Sequence, residues 1–176
     1  MPANTLNVPI GPATVEYGTT NPVVFDITKG GIQFQASTST QDVTVDQYGD
    51  TPVKSIVKGV TCQVTIPFAL HDLDKLAKAI PNSTLVTDST DPNKKKLEVN
   101  ANSGFDLINA ADKLVIKPTD PNSTPNDWIT IPLAAPVTDP ELTFDSDNER
   151  VYNITFRGYP DSNGLLYILG DESASA

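Results

Sequence analysis

The side chains best suited to nucleophilic catalysis are scarce in this sequence, which has one histidine, His71, and one cysteine, Cys62. A Ser-His-Asp or Cys-His arrangement would have to use His71, which lies at the start of a predicted helix, where boundary or surface roles are ordinary. Cys62 lies on the apolar face of a predicted strand, which indicates a buried small hydrophobic residue. A single cysteine excludes an internal disulfide and fits a reducing compartment. With one histidine and one cysteine, the sequence offers no plausible set of zinc ligands. We expect no catalytic residue, no metal and no cofactor.

Carboxylates are plentiful, and two segments could suggest calcium binding: DSDNE at residues 145–149 and TDPNSTPND at residues 119–127. Neither has the alternating ligands, central glycine and distal glutamate of a calcium-binding loop, so both are predicted to be solvated turns. Gly30-Gly31 is predicted to be a turn between strands and not a phosphate loop. A hydrolase that uses two carboxylates remains an alternative, because two acidic residues distant in the sequence can meet in the folded structure. Sugar clefts are usually lined with aromatic residues, however, and the only tryptophan, Trp128, is predicted to anchor packing.

The charge of the chain argues against nucleic-acid binding. The formal net charge is −10 and the pI is about 4.3, whereas neutralising phosphates requires clustered lysine and arginine. The only basic run, Lys94-Lys95-Lys96, follows Asp91-Pro92-Asn93 and is predicted to be a solvated turn, with a phosphate or partner contact as the alternative. The N-terminus lacks the features of a signal peptide, and no stretch is long and apolar enough to span a bilayer, so we expect a soluble protein made in the cytoplasm.

Alternating apolar residues predict that most of the chain forms strands. The strand signals lie at residues 23–28, 31–36, 43–45, 52–68, 107–108, 114–116, 128–135 and 152–156, with a shorter one at Leu97 and Val99. The polar run Ser37–Asp42 is predicted to connect two of them. Pro132 predicts that residues 128–135 form an edge strand. Residues 152–156 and the run Leu165–Leu169 are predicted to form a terminal hairpin, in which Leu165–Leu169 is the well-buried second strand.

One segment has helical periodicity. In LHDLDKLAKAI, the apolar positions Leu70, Leu73, Leu76, Ala77 and Ile80 share a face, which predicts a helix of about three turns that Pro81 closes. Roughly eight to ten short strands and one helix predict a mainly β fold, a two-sheet β-sandwich or barrel with one flanking α-helix. We expect one domain over residues 1–176, with a flexible N-terminal segment at about residues 1–10 and a disordered C-terminal tail at residues 171–176.

The first half of the chain resembles bacteriophage major tail proteins, the tail tube subunits of long-tailed phages. The resemblance is carried by five successive segments: G...V.Y at residues 11–18, GGI.F at 30–34, V..DQYG.TPV at 43–53, KG....V..PF at 58–68 and L..L.K..P at 73–81. The closing LLYILGD is similar more weakly, and residues 82–125 match no motif of the family.

This resemblance implies the fold of phage tail tubes and secretion-system tubes, and a structural virion protein that is not an enzyme. Six subunits would close into a ring, and rings would stack into a tube through which DNA is ejected. Its partners would be copies of itself and other tail proteins, namely the tape measure, tail terminator and baseplate. Such a protein is assembled in the host bacterial cytoplasm and located in the virion tail. A ring of six would carry about sixty negative charges, and those facing the lumen would repel DNA and let it pass without specific binding.

The polar segment Asp46-Gln47-Tyr48-Gly49-Asp50-Thr51 is the candidate interface between subunits or rings. It is longer than a hairpin turn requires, and its two carboxylates suit interface hydrogen bonds better than catalysis. The alternative is that Tyr48 packs locally and Gly49 only supplies a positive φ. At the level of function, the alternatives are a tail-completion or baseplate hub component of related fold, and a carbohydrate-binding or hydrolytic β-sandwich.

Overall fold

The protein is mainly β, with one α-helix, in a computed structural model that describes residues 9–175. The strands are β1 (Ala13–Tyr17), β2 (Val23–Phe25), β3 (Gln33–Thr44), β4 (Pro52–Phe68), β5 (Ser83–Thr87), β6 (Lys95–Val99), β7 (Asp112–Pro118), β8 (Ile129–Pro136), β9 (Tyr152–Gly158) and β10 (Ile168–Leu169). The helix α1 spans Leu73–Ala79. Residues 1–8 of the predicted flexible N-terminal segment, and Ala176 of the predicted tail, lie outside the described residues.

Eight strands form one antiparallel sheet in the order β2-β1-β7-β8-β9-β4-β3, with β10 paired to β8. This sheet is not closed into a barrel, so that part of the prediction is wrong. The sheet instead curls until the chain after β2 meets the end of β4. There the Lys29 N–H donates to the Pro67 carbonyl, and the Ala69 N–H donates to the Ile27 carbonyl, both at 3.0 Å. Only an isolated bridge, Thr28 to Phe68, crosses this gap among the described residues, too little pairing to close the sheet.

The core lies inside the curl. The alternation predicted for the end of β4 is confirmed: Cys62, Val64, Ile66 and Phe68 are buried. Phe68 meets the Phe25 ring edge to face at 5.3 Å between centroids. Burying a side chain of this size contributes about 1.5–3 kcal/mol, so this half of β4 is firmly fixed in the body of the protein.

Helix α1 is shorter than predicted, since it begins at Leu73 and not near Leu70. Asp72 ends the extended chain and caps the helix, because its carboxylate accepts hydrogen bonds from the Asp74 and Lys75 N–H groups at 3.0 and 3.3 Å. This is the usual way an N-cap aspartate satisfies free amides of the first turn. Leu76 and Ala79 face the core. The apolar periodicity predicted the burial of Leu76 and Ile80 correctly, whereas Leu70 is exposed and lies before the capping residue that sets the start of the helix.

Strand β8 is central and not an edge strand, which corrects the prediction based on Pro132. It lies between β7 and β9, and its pairing with β7 shifts between Ala134 and Ile131. The shift places an extra β8 residue opposite β7, so Pro132, which has no N–H, falls where the ladder is interrupted. On the other side, β10 pairs with Ile129 and Thr130 whereas β9 pairs from Ala134 onward. Pro132 is therefore tolerated inside the sheet.

The terminal hairpin prediction is also wrong, because β10 pairs with β8 and not with β9. Both edges of β9 are already used, one by Cys62–Phe68 of β4 and the other by residues 134–136 of β8. The PDSNG turn did form locally: the Asp161 carboxylate accepts hydrogen bonds from the N–H groups of Asn163 and Leu165, both at 2.8 Å. Leu165 and Leu169 are exposed, so this segment is not the buried strand that its apolar composition suggested.

A separate hairpin of β5 and β6 packs beside α1. The predicted short strand at Leu97 and Val99 is confirmed as part of β6. A strand at Leu107–Ile108 is not, because residues Leu107–Ala110 form a 3₁₀ helix that the Asp106 side chain caps. In the predicted tail, the Glu172 carboxylate lies 2.6 Å from the Lys113 ammonium.

Candidate functional site

The most prominent surface feature is the outer part of the β3–β4 hairpin, residues 37–61, which we call the arm. The polar run Ser37–Asp42, predicted to be a connection, is instead the middle of β3 and pairs residue by residue with β4. All residues of the arm are exposed except Val45, which is half-buried. The arm therefore extends away from the body of the protein as a two-stranded ribbon.

Both faces of the arm carry exposed apolar side chains. Val57 and Val60 pair with Thr40 and Thr38, which lie two residues apart on β3 and so share one face. Ile56 pairs with Gln41 on the opposite face. Val57 is 60% exposed and Ile56 is 47% exposed. An isolated two-stranded ribbon is marginally stable in water, so an arm with apolar residues on both faces is suited to contact another protein surface.

The edges of the arm are unpaired among the described residues. Strand β3 ends the order of the large sheet, and β9 pairs with β4 only from Cys62 to Phe68. The backbone N–H and C=O groups along these edges can accept a further strand. Natural edge strands are commonly protected by lysine, proline or inward charges, and Gln33–Thr44 contains one charged residue, Asp42.

The six predicted interface residues lie together at the end of the arm, and we call residues 46–51 the tip. Asp46–Tyr48 form one turn of 3₁₀ helix, and Gly49 follows with a φ of 60°. The Thr51 N–H donates to the Tyr48 carbonyl at 3.2 Å, which folds the backbone of the tip back on itself. The Tyr48 side chain is 67% exposed and points away from any core.

The charged residues of the arm are three aspartates, Asp42, Asp46 and Asp50, and two lysines, Lys54 and Lys58. Seven lysines form ion pairs with carboxylates, at positions 29, 75, 94, 95, 96, 113 and 117. Lys54 and Lys58 on β4 have no carboxylate of the described residues within ion-pair distance. Asp46 and Asp50 at the tip are likewise free of lysine contacts within that part of the chain. The arm thus offers charges of both signs to a partner.

A groove that sequence patterns did not reveal lies at the base of the arm. It has a volume of about 410 Å³ and is lined by Val60, Pro160, Gly164, Leu166 and Tyr167. We call it the root groove. The Tyr167 ring meets Phe34 edge to face, with centroids 5.2 Å apart, which fixes one wall of the groove to the part of β3 that precedes the arm. Val60 and Leu166 are 106 residues apart in the sequence, so no local pattern could have paired them.

His71 and Cys62, considered for catalysis, and Asp145, considered for calcium binding, are each hydrogen-bonded or buried within the protein. The Tyr152 hydroxyl lies 2.5 Å from His71 Nδ1. Burial raises the pKa of the Cys62 thiol above its usual value, so this cysteine is a poor nucleophile. The Asp145 carboxylate accepts hydrogen bonds from the Asn148 side chain and from the N–H groups of Asp147 and Asn148, which lowers its pKa and forms a local turn.

Trp128 and the basic run Lys94–Lys96, two further candidates for binding, both make contacts within the chain. The Lys117 ammonium lies over the Trp128 ring at 4.6 Å from its centroid. Each lysine of the run 94–96 has a carboxylate partner: Asp91, Asp74 and Glu98. Within residues 9–175, no three His, Cys, Asp or Glu side chains come together in a way that could hold a metal. No helix in that same part of the chain has the length and apolarity needed to cross a membrane.

Comparison of the chain with protein-family models gave no match, and comparison with curated proteins gave none.

Proposed function

We propose that this protein is a structural virion subunit that assembles into hexameric rings, which stack to form the tail tube of a long-tailed bacteriophage. The observation that carries the proposal is the arm, which is exposed on both faces and unpaired along both edges among the described residues. A monomer gains little from such an extension, whereas a subunit that contacts its own copies gains both apolar burial and backbone pairing. The motif resemblance of residues 11–81 to major tail proteins supports the same function.

In this proposal the fold belongs to the phage tail tube and secretion tube type. The curled sheet with α1 on its side supplies a rigid body, and the free edge of β3 is available to join a neighbouring subunit. Contacts between unlike surfaces of identical subunits close into a ring when their rotation fits, and otherwise continue as an open stack. Both kinds of contact are needed to build a tube from one protein.

The charge of the chain suits a conduit for DNA. A ring of six subunits carries about sixty formal negative charges, and lumen-facing carboxylates repel phosphates. A basic lumen would release counterions and bind DNA tightly. The one basic run, Lys94–Lys96, is neutralised by neighbouring carboxylates, so it does not counter this effect.

The tip supplies the first test. We expect Tyr48→Ala combined with Asp50→Ala to yield a folded, soluble monomer that assembles poorly, because both side chains are exposed and would lie at the interface. Sedimentation velocity over a concentration series measures assembly, and the melting temperature, which should stay within a few degrees of the wild type, reports folding. If loss of the Tyr48 anchor weakens the binding free energy by about 2 kcal/mol, the concentration needed for assembly rises roughly thirtyfold.

The matched control for this variant is Val99→Ala combined with Asp139→Ala, which also removes one exposed apolar group and one exposed carboxylate. The control should assemble like the wild type. If the tip variant formed tubes of normal length at the wild-type concentration, the tip would have no role in assembly.

A further inference from the structure

We infer that the tip of the arm of one copy docks into the root groove of a second copy, with Tyr48 as the side chain that fills it. This inference rests on the proposed self-assembly and adds to it the surface that receives the tip. The groove and the tip are the two ends of the same arm, so each copy carries both halves of the contact.

The contact must be made between copies. Val60 of the root groove pairs with Thr38, and seven residues of extended chain separate Thr38 from Val45, where the turn of the tip begins. At the rise of an antiparallel strand this is roughly 25 Å. Tyr48 therefore cannot reach its own root groove without unfolding the arm, and a second copy is the occupant that the geometry allows.

The chemistry of the two surfaces matches. The root groove is lined by aliphatic, proline, glycine and aromatic residues, and none of the described residues that line it is charged. Tyr48 is the largest exposed side chain of the tip, and its ring would be covered by Leu166 and Tyr167 while its hydroxyl remains able to reach water. A tyrosine with an apolar ring and a polar end is a frequent anchor in protein interfaces.

Charge complementarity points to the same arrangement. Tyr48 is flanked by Asp46 and Asp50, and Lys58 lies two residues from Val60 of the root groove. These three charged groups make no ion pairs among the described residues. Docking the tip beside the root groove brings the tip carboxylates near Lys58 of the second copy. The resulting pairs would align the tip more than they stabilise it, because exposed ion pairs contribute little.

The symmetry of this contact explains why it would propagate. The tip and the root groove are different surfaces, so the contact is head to tail. Each added copy presents a free tip at one side and a free root groove at the other. Because the tip and the groove lie at opposite ends of the arm, each added copy is displaced along the arm. Successive copies therefore do not close into a ring and build an open stack.

A disulfide cross-link between two variants tests this inference. Gln47→Cys, which is exposed beside Tyr48 and leaves that anchor in place, and Leu165→Cys are each made in the full chain, purified separately, mixed under assembly conditions and oxidised. Leu165 is exposed and adjoins Gly164 and Leu166 of the root groove, and Cys62 is 2% exposed and should not react. Because a tip of one variant meets a groove of the other in half of the contacts of a random equal mixture, we expect up to about half of the protein to form a dimer in which peptide mapping joins position 47 to position 165. A mixture of Gln47→Cys with Val86→Cys, on β5, is the control and should give no such product.

The possible outcomes separate the two proposals. Tubes that form without a link between positions 47 and 165 would overturn the tip-to-groove contact and leave the proposed function standing. A link of Gln47→Cys to itself would indicate tip-to-tip contact and would also overturn it. Absence of any assembly in the wild type and both variants would overturn both proposals. As a second variant, Lys58→Glu should weaken assembly, and Asp50→Lys in the same chain should restore part of it; failure of this rescue would exclude the charge pairing.

Discussion

Shortening the arm is expected to abolish assembly while leaving the body of the protein folded. Replacing residues 40–58 by Asn-Gly joins Ser39 directly to its pairing partner Gly59, and Asn-Gly favours the turn of a two-residue hairpin loop. Nearly all the side chains removed are exposed, and their strand pairs are made with one another, so the core loses nothing. We expect the concentration needed for assembly to rise more than about 100-fold, equivalent to about 2.7 kcal/mol or more.

Sedimentation velocity and the melting temperature together check this prediction. The control replaces residues 88–94 between the paired residues Thr87 and Lys95 with the same Asn-Gly turn, and it should assemble normally. Tubes from the shortened variant at wild-type concentration would show that assembly does not depend on the arm.

Adding a single methyl group at Gly158 is expected to destabilise the fold. A Cβ at this position would overlap the Cys62 sulfur and lie 3.1 Å from Ile131 Cγ2. Gly158 is held by β4 on one side and by β8 on the other, so its backbone cannot move away. Overpacking of this kind typically costs about 1–3 kcal/mol, and we expect Gly158→Ala to lie at the upper end because both neighbours are buried.

Denaturant unfolding of four proteins tests this prediction: the wild type, Gly158→Ala, Cys62→Ala and the double variant. Removing the sulfur relieves the overlap, so the double variant should be more stable than Gly158→Ala alone. Equal stability of Gly158→Ala and the wild type would mean that β4 and β9 leave room for a Cβ at position 158, contrary to the close approach of Cys62.

The sequence predicted those elements that have one buried face. The alternation from Cys62 to Phe68 and the apolar stripe of α1 both arise because a core lies on one side of them. Val60, the first residue of the predicted alternation, lies on the arm and is exposed. The arm has no buried face, so Ser37–Asp42 gives no such signal, and its strand is specified only by pairing with β4. Pro132 misled the prediction because a proline that falls at an interruption of the ladder costs no hydrogen bond. The partner of β10 depended on which edges of β9 were already used, which no local pattern records.

Only the part of the candidate site that is contiguous in the sequence could be predicted. The tip residues are contiguous, so a polar segment between two strand signals was enough to group them. The root groove combines Val60 with residues 160–167, and only the folded structure brings these together. The sequence does not distinguish Lys58 from other strand lysines, and only the structure reveals that it forms no ion pair with any described residue.

Electron microscopy of the purified wild-type protein in negative stain, at high concentration, tests the central proposal most directly. The proposal predicts hollow tubes whose end views show six-fold rings around an open lumen. Rings that never elongate would instead favour a tail-completion or baseplate hub component of related fold. A strictly monomeric protein that forms neither rings nor tubes under any condition would contradict the proposed function.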